Sequence, residues 1–148
     1  MPPAAAERAV ALTMRALAVT FAVVGVLFIA TPDGVIGTLD DVGNWLGSFP
    51  DGPPTDEKFW LALGFAYMTV ITGLAWVISL DPRRYRPMLL VLAAGKTASS
   101  LAAGAFFVFD REVFIYLANF VVDASLVGVA LGCWAVLGSA EEEARAPV

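Results

Sequence analysis

At 148 residues the chain has the length of one domain, but 59% of it is apolar and only 16% charged, against about 45–50% and about 25% in soluble domains. A globule this small cannot hide so much apolar surface from water, whereas a bilayer accepts it. The net charge of −5 argues against nucleic acid, which wants a basic partner, and the lack of any His removes the commonest metal ligand and general base.

Four segments are long and apolar enough to be spans of about 20 residues. They are residues 11–30, 59–80, 87–109 and 113–137. The fold class expected is therefore all-α: one polytopic membrane domain, a compact bundle of four transmembrane helices. The first span is too long for a signal-peptide core, and Phe28-Ile29-Ala30 lacks the small-residue pattern of a cleavage site. It is expected to stay as a span.

The connection 31–58 is long and acidic, with Asp33, Asp40, Asp41, Asp51, Asp56 and Glu57. Within it Val35, Ile36, Leu39, Val42, Leu46 and Phe49 recur at helical spacing. This predicts a short amphipathic helix on the outer membrane surface, with Trp45 among the headgroups. Such a helix either covers the end of the bundle or acts as a lid or docking site. No EF-hand ligand spacing accompanies the acidity. Pro50-Asp51-Gly52-Pro53-Pro54 reads as a turn-rich linker.

The second connection, Leu80-Asp81-Pro82-Arg83-Arg84-Tyr85-Arg86-Pro87, is a short turn with two helix-stopping prolines. Asp110-Arg111-Glu112 is a tight hairpin, so the third and fourth spans are expected to be antiparallel neighbours. Residues 138–148 form a tail, polar and frayed from Glu141 onward.

Basic residues are unevenly distributed. Arg8, Arg15, Arg83, Arg84, Arg86 and Arg145 lie on one side, while Lys58 and Arg111 lie on the other. The positive-inside rule then puts both termini in the cytoplasm of a multi-pass cell-membrane protein. Trp60, Trp76 and Trp134 fall towards span ends and, with Trp45, suit an interfacial belt.

Two full charges fall inside spans, Lys96 in the third and Asp123 in the fourth. Each costs about 2.5–3.5 kcal/mol at a span centre. Lys96 stands 14 residues before Asp110, and Asp123 stands 12 residues after Arg111. At about 1.5 Å per residue, both are roughly 20 Å from the hairpin. The two are expected to meet near mid-membrane, directly or through water. Glu112, Tyr116, Asn119 and Asp123 share one helical stripe, and Lys96, Ser99 and Ser100 share a face. Tyr67 and Thr69 of the second span reach a similar depth. The candidate site is thus Lys96, Asp123, Asn119, Ser99, Ser100, Tyr67 and Tyr116. It serves either as a network fixing helix register or as a proton relay or polar-solute site.

Residues 93–105 are nearly all small, which predicts that the third span is central, because small residues mark helix contacts in lipid. Ala124, Gly128 and Gly132 of the fourth span, Ala62, Ala66, Thr69 and Gly73 of the second, and Ala18, Ala22 and Gly25 of the first make further small faces. Packing within the bundle is the expected use of these faces, ahead of a dimer seam.

No catalytic motif is present. Gly95-Lys96-Thr97 lacks the upstream glycine of a P-loop, and Cys133, inside an apolar run, reads as a small buried residue. No cofactor and no metal are expected. The layout of four spans with a proline-containing connection after the first resembles that of small bacterial membrane proteins of the DoxX-like families. The likeness implies no residue's role. These features describe a small non-enzymatic membrane protein, an accessory or interaction subunit. Its partners would be the lipid bilayer and a second copy or a larger membrane complex. The alternatives are a proton-coupled transporter or channel using the Lys96–Asp123 cluster, and a lipid or quinone binding module using a cleft beneath the outer helix.

Overall fold

The computed structural model describes residues 2–53 and 57–145 and, within them, consists of helices and their connections. Five helices follow one another: α1 (Pro3–Ala30), α2 (Pro32–Gly47), α3 (Lys58–Leu80), α4 (Arg86–Phe109) and α5 (Phe114–Arg145). All but α2 are long and apolar enough to cross a membrane.

The helix boundaries follow from local chemistry. Proline occupies the first turn of α1, α2 and α4, where its missing N–H costs nothing. Thr31 closes α1 by donating its backbone N–H to Leu27 O, and α2 starts at the next residue. Ser48 ends α2 in the left-handed conformation at φ 57°. Asp81 stops α3, and its Oδ1 accepts the Arg84 N–H at 3.1 Å.

Two helices are longer than the hydropathy alone predicts. α1 begins at Pro3 rather than near residue 11, and α5 runs on to Arg145 instead of stopping at 137. Ala4-Ala5-Ala6 and Ala140 to Arg145 are strong helix formers that continue the helix past the apolar run. The tail is therefore helical over most of its length. The linker residues 54–56 and the terminal residues 146–148 lie outside the described residues.

The long helices form two tight antiparallel pairs, α1 with α3 and α4 with α5. The pairs meet more sparsely, α1 against α5 and α3 against α4. This corrects the expectation that the third span is central: α4 packs along α5 and only lightly against α3. Small residues permit close approach from any side but do not attract a neighbour. The short Asp110–Val113 connection and the buried charge pair decide which neighbour α4 takes.

One core joins all four helices. It holds Val10, Met14, Ala18 and Phe21 of α1, and Ile71, Ala75 and Ile78 of α3. Leu89, Leu92 and Ala93 of α4 and Ala130 and Leu137 of α5 complete it. By position along the helices these residues lie between the level of Lys96 and the end that carries the chain termini. Beyond Lys96, glycines bring the two helices of each pair close together. Gly25 sits against Met68, and Gly104 sits against Phe120.

The fate of the small faces is mixed. Ala18 and Gly25 are buried, as expected, but Ala22 is exposed. Gly73, Gly128 and Gly132 instead open to the outside, with nothing within 4 Å of where a Cβ would stand, and Ala62, Ala66, Thr69 and Ala124 are exposed. Packing within the bundle is thus not the use of most of the α3 and α5 small residues.

α2 is the amphipathic helix expected between the first two long helices, and it covers the end of the bundle. Its Gly43 is buried against Phe114, where a Cβ would come within 2.5 Å of the Phe114 Cβ. Phe49 adds ring contacts to Phe114 at 5.5 Å and Phe107 at 6.4 Å. Asp40 turns back to accept the Gly52 N–H at 2.9 Å, tying the following linker to the helix. Trp45 is 84% exposed.

Candidate functional site

The apolar stripe of α1 recurs every three or four residues, at Ala6, Val10, Met14, Ala18, Phe21 and Gly25. It therefore presents Phe21 to the interior. On α4 the buried stripe is Leu89, Leu92, Ala93, Lys96, Ser100 and Ala103. Lys96 is forced inward with its apolar neighbours and needs a partner there.

Asp123 of α5 supplies it. Lys96 Nζ donates to Asp123 Oδ1 at 2.9 Å, and both side chains are 5% exposed. The equal depth read from the hairpin is what brings them together. The ammonium also lies over two aromatic rings, 4.9 Å from the centre of Phe21 on α1 and 5.5 Å from that of Tyr67 on α3. Ring faces are electronegative and attract a cation most where water is excluded. Groups from all four long helices thus meet here: the ammonium of α4 and its neighbours from α1, α3 and α5.

The polar neighbours divide. Ser100 Oγ donates to Phe120 O at 2.9 Å, a link from α4 to α5 one turn from the ion pair. Asn119 Nδ2 donates to Ser99 Oγ at 3.4 Å, a long bond at an exposed position beside the cluster. Tyr67 reaches the site, and among the described residues its buried hydroxyl has no hydrogen-bond partner.

Tyr116 does not join them. It lies about 10 Å nearer the hairpin along α5, with its ring 5.6 Å from that of Phe106. The stripe shared with Asp123 is real, but side chains two turns apart cannot meet at one point. Thr69 bonds the Phe65 carbonyl of its own helix instead, and Glu112 is exposed.

Phe21 is the member that sequence reasoning missed. The pairing of Glu7 on α1 with Arg83 sets Phe21 and Tyr67 at similar distances along their helices from that contact, but the pairing itself is visible only in the structure. A ring with no polar atom gives no reason to be chosen from sequence.

Chemically, the site is a satisfied ion pair rather than an open cleft. Two shallow apolar clefts adjoin it. One of about 180 Å³ lies along α1 and α3, between Phe21, Gly25, Phe65 and Met68. The other, of about 230 Å³, lies along α4 and α5, between Thr97, Ser100, Phe120 and Ala124. Neither is lined by α2. Among the described residues no three His, Cys, Asp or Glu side chains converge as metal ligands would.

A second polar contact marks the opposite end of the bundle. Arg86 Nε donates to Trp134 O at 3.1 Å, and its guanidinium stacks 4.4 Å from the Trp134 ring centre. Arg83 pairs with Glu7 at the surface. Together they tie the α3–α4 turn to α1 and α5.

No family model, no curated protein and no solved structure matches this chain. The likeness to the DoxX-like families therefore rests on layout alone.

Proposed function

We propose that this chain is a small non-enzymatic integral membrane protein, with both termini in the cytoplasm, that serves as an accessory or interaction subunit. The observation that carries this reading is the sealed Lys96–Asp123 pair, bordered by all four long helices and 5% exposed on each side. A charge pair closed in this way fixes which helix faces meet and at what height, which suits a scaffold. A conduit would need an approach to the pair.

The outward faces suit a membrane and a neighbour within it. Leu12, Val19, Leu101, Val108 and Val121 are each more than half exposed, and large exposed apolar faces mark contact with a membrane or a partner. Trp45 and Trp60 lie towards one end and Trp76 and Trp134 towards the other, all exposed, as anchors at two interfaces would be.

Crosslinking in intact membranes, followed by native electrophoresis in mild detergent, tests the role. The reading expects the chain in a complex of fixed stoichiometry. A lone monomer under both conditions would remove it. Proteoliposome flux addresses the competing transporter: solute or proton flux abolished by Asp123→Asn would favour that reading instead.

A further inference from the structure

We infer that Tyr67, Gly95, Lys96 and Asp123 enclose a binding site for one small hydrogen-bonding molecule, an internal water that joins the tyrosine hydroxyl to the ion pair. Three observations carry it. The Tyr67 hydroxyl is buried and unpartnered among the described residues, and leaving such a group unpaired is costly, so buried hydroxyls are met by protein or by ordered water. The second observation is the ion pair beside it. The Lys96 ammonium has three N–H donors, one of which goes to Asp123, and it lies 5.5 Å from the centre of the Tyr67 ring. The hydroxyl has no direct partner among the described residues, and the ring that carries it lies under an ammonium that can donate to a bridging molecule. A buried water needs two to four polar partners, and the hydroxyl, the ammonium and the carboxylate supply that number.

The third observation is room. Gly95 precedes Lys96 and faces the same hydroxyl: a Cβ there would stand 3.6 Å from Tyr67 Oη. A side chain at this position would occupy the space next to the oxygen, and glycine leaves it open. The occupant is neutral because the charge of Lys96 is already balanced by Asp123. It is small because the pair is sealed.

Hydroxyl-radical labelling by X-ray pulses, read by mass spectrometry on the full chain in lipid nanodiscs, tests this. Radicals formed from a bound water modify the side chain that holds it, even when bulk solvent does not reach it. Tyr67 is expected to label several-fold faster than Met68, its likewise partly buried neighbour at the same depth, after correction for intrinsic reactivity. Gly95→Ala adds a methyl in ordinary contact with Tyr67 and favours the helix. It is expected to slow Tyr67 labelling several-fold. Equal rates at Tyr67 and Met68, or a Tyr67 rate unchanged in Gly95→Ala, would overturn the site.

Stability gives an independent reading. Tyr67→Phe removes a hydrogen-bonded hydroxyl if the water is there and an orphan if it is not. The folding equilibrium is expected to fall roughly fivefold, the worth of about one net hydrogen bond, and the fall is expected to vanish in the Lys96→Met, Asp123→Asn background. An unchanged or more stable Tyr67→Phe protein would count against the water.

Discussion

Lys96 and Asp123 each give up hydration that neither can recover alone, so each is stable inside only because the other is there. Breaking a buried pair from one side leaves an uncompensated charge and costs about 3–5 kcal/mol. Lys96→Met and Asp123→Asn are each expected to destabilise the protein by about that much, while the double variant recovers most of the loss. Thermal unfolding in mild detergent measures the cycle, and three variants as stable as the parent would deny the pair any structural role. Ser48 offers a smaller effect of opposite sign. It holds the left-handed position at the end of α2, where a Cβ is penalised by about 1 kcal/mol. Ser48→Gly is expected to stabilise by up to that amount in the same assay.

At the scale of helices, the glycines show where neighbours come close and where nothing does. Gly43 lets α2 lie on the first turn of α5, with the Phe114 Cβ in the way of any side chain. Backbone rather than a flexible side-chain end must then move, so Gly43→Ala is expected to lift α2 and cost about 1–3 kcal/mol. Faster proteolysis at residues 48–53, which follow α2, would report it. Gly128 and Gly132 have open space instead. Gly128→Ala and Gly132→Ala are expected to leave the isolated chain as stable as before, or to raise stability by roughly 0.5–1 kcal/mol each through helix propensity. Loss of stability in the monomer would mean that these positions are covered.

The whole molecule places charge and length unevenly. α1 and α5, at 28 and 32 residues, span about 42 and 48 Å, more than the hydrocarbon core of about 30 Å. Their surplus lies at the end shared by both termini and the α3–α4 turn, where Arg83 meets Glu7 and Arg86 meets Trp134. If that end is cytoplasmic, as the basic residues indicate, a single cysteine at Ala4, with Cys133 replaced, reacts with an impermeant maleimide only after cells are opened. A cysteine at Gly37, exposed on α2, reacts in intact cells. The reverse pattern would invert the topology while leaving the helix arrangement intact.

Sequence alone determined what depends on one helix or one short connection. Apolar runs set the long helices, prolines set several of their starts, and the three charged residues after Phe109 made α4 and α5 antiparallel. Equal distance from that hairpin was enough to pair Lys96 with Asp123, because rise per residue is fixed and a buried charge has few alternatives. Where the arrangement depends on which surfaces of separate helices meet, only the tertiary structure decided. It sorted four helices into two pairs, turned the Gly128 and Gly132 face outward, set Phe21 beneath the ammonium and kept Tyr116 apart from it. Apolar and small side chains fit many neighbours almost equally well, and their choice emerges only when all four helices pack at once.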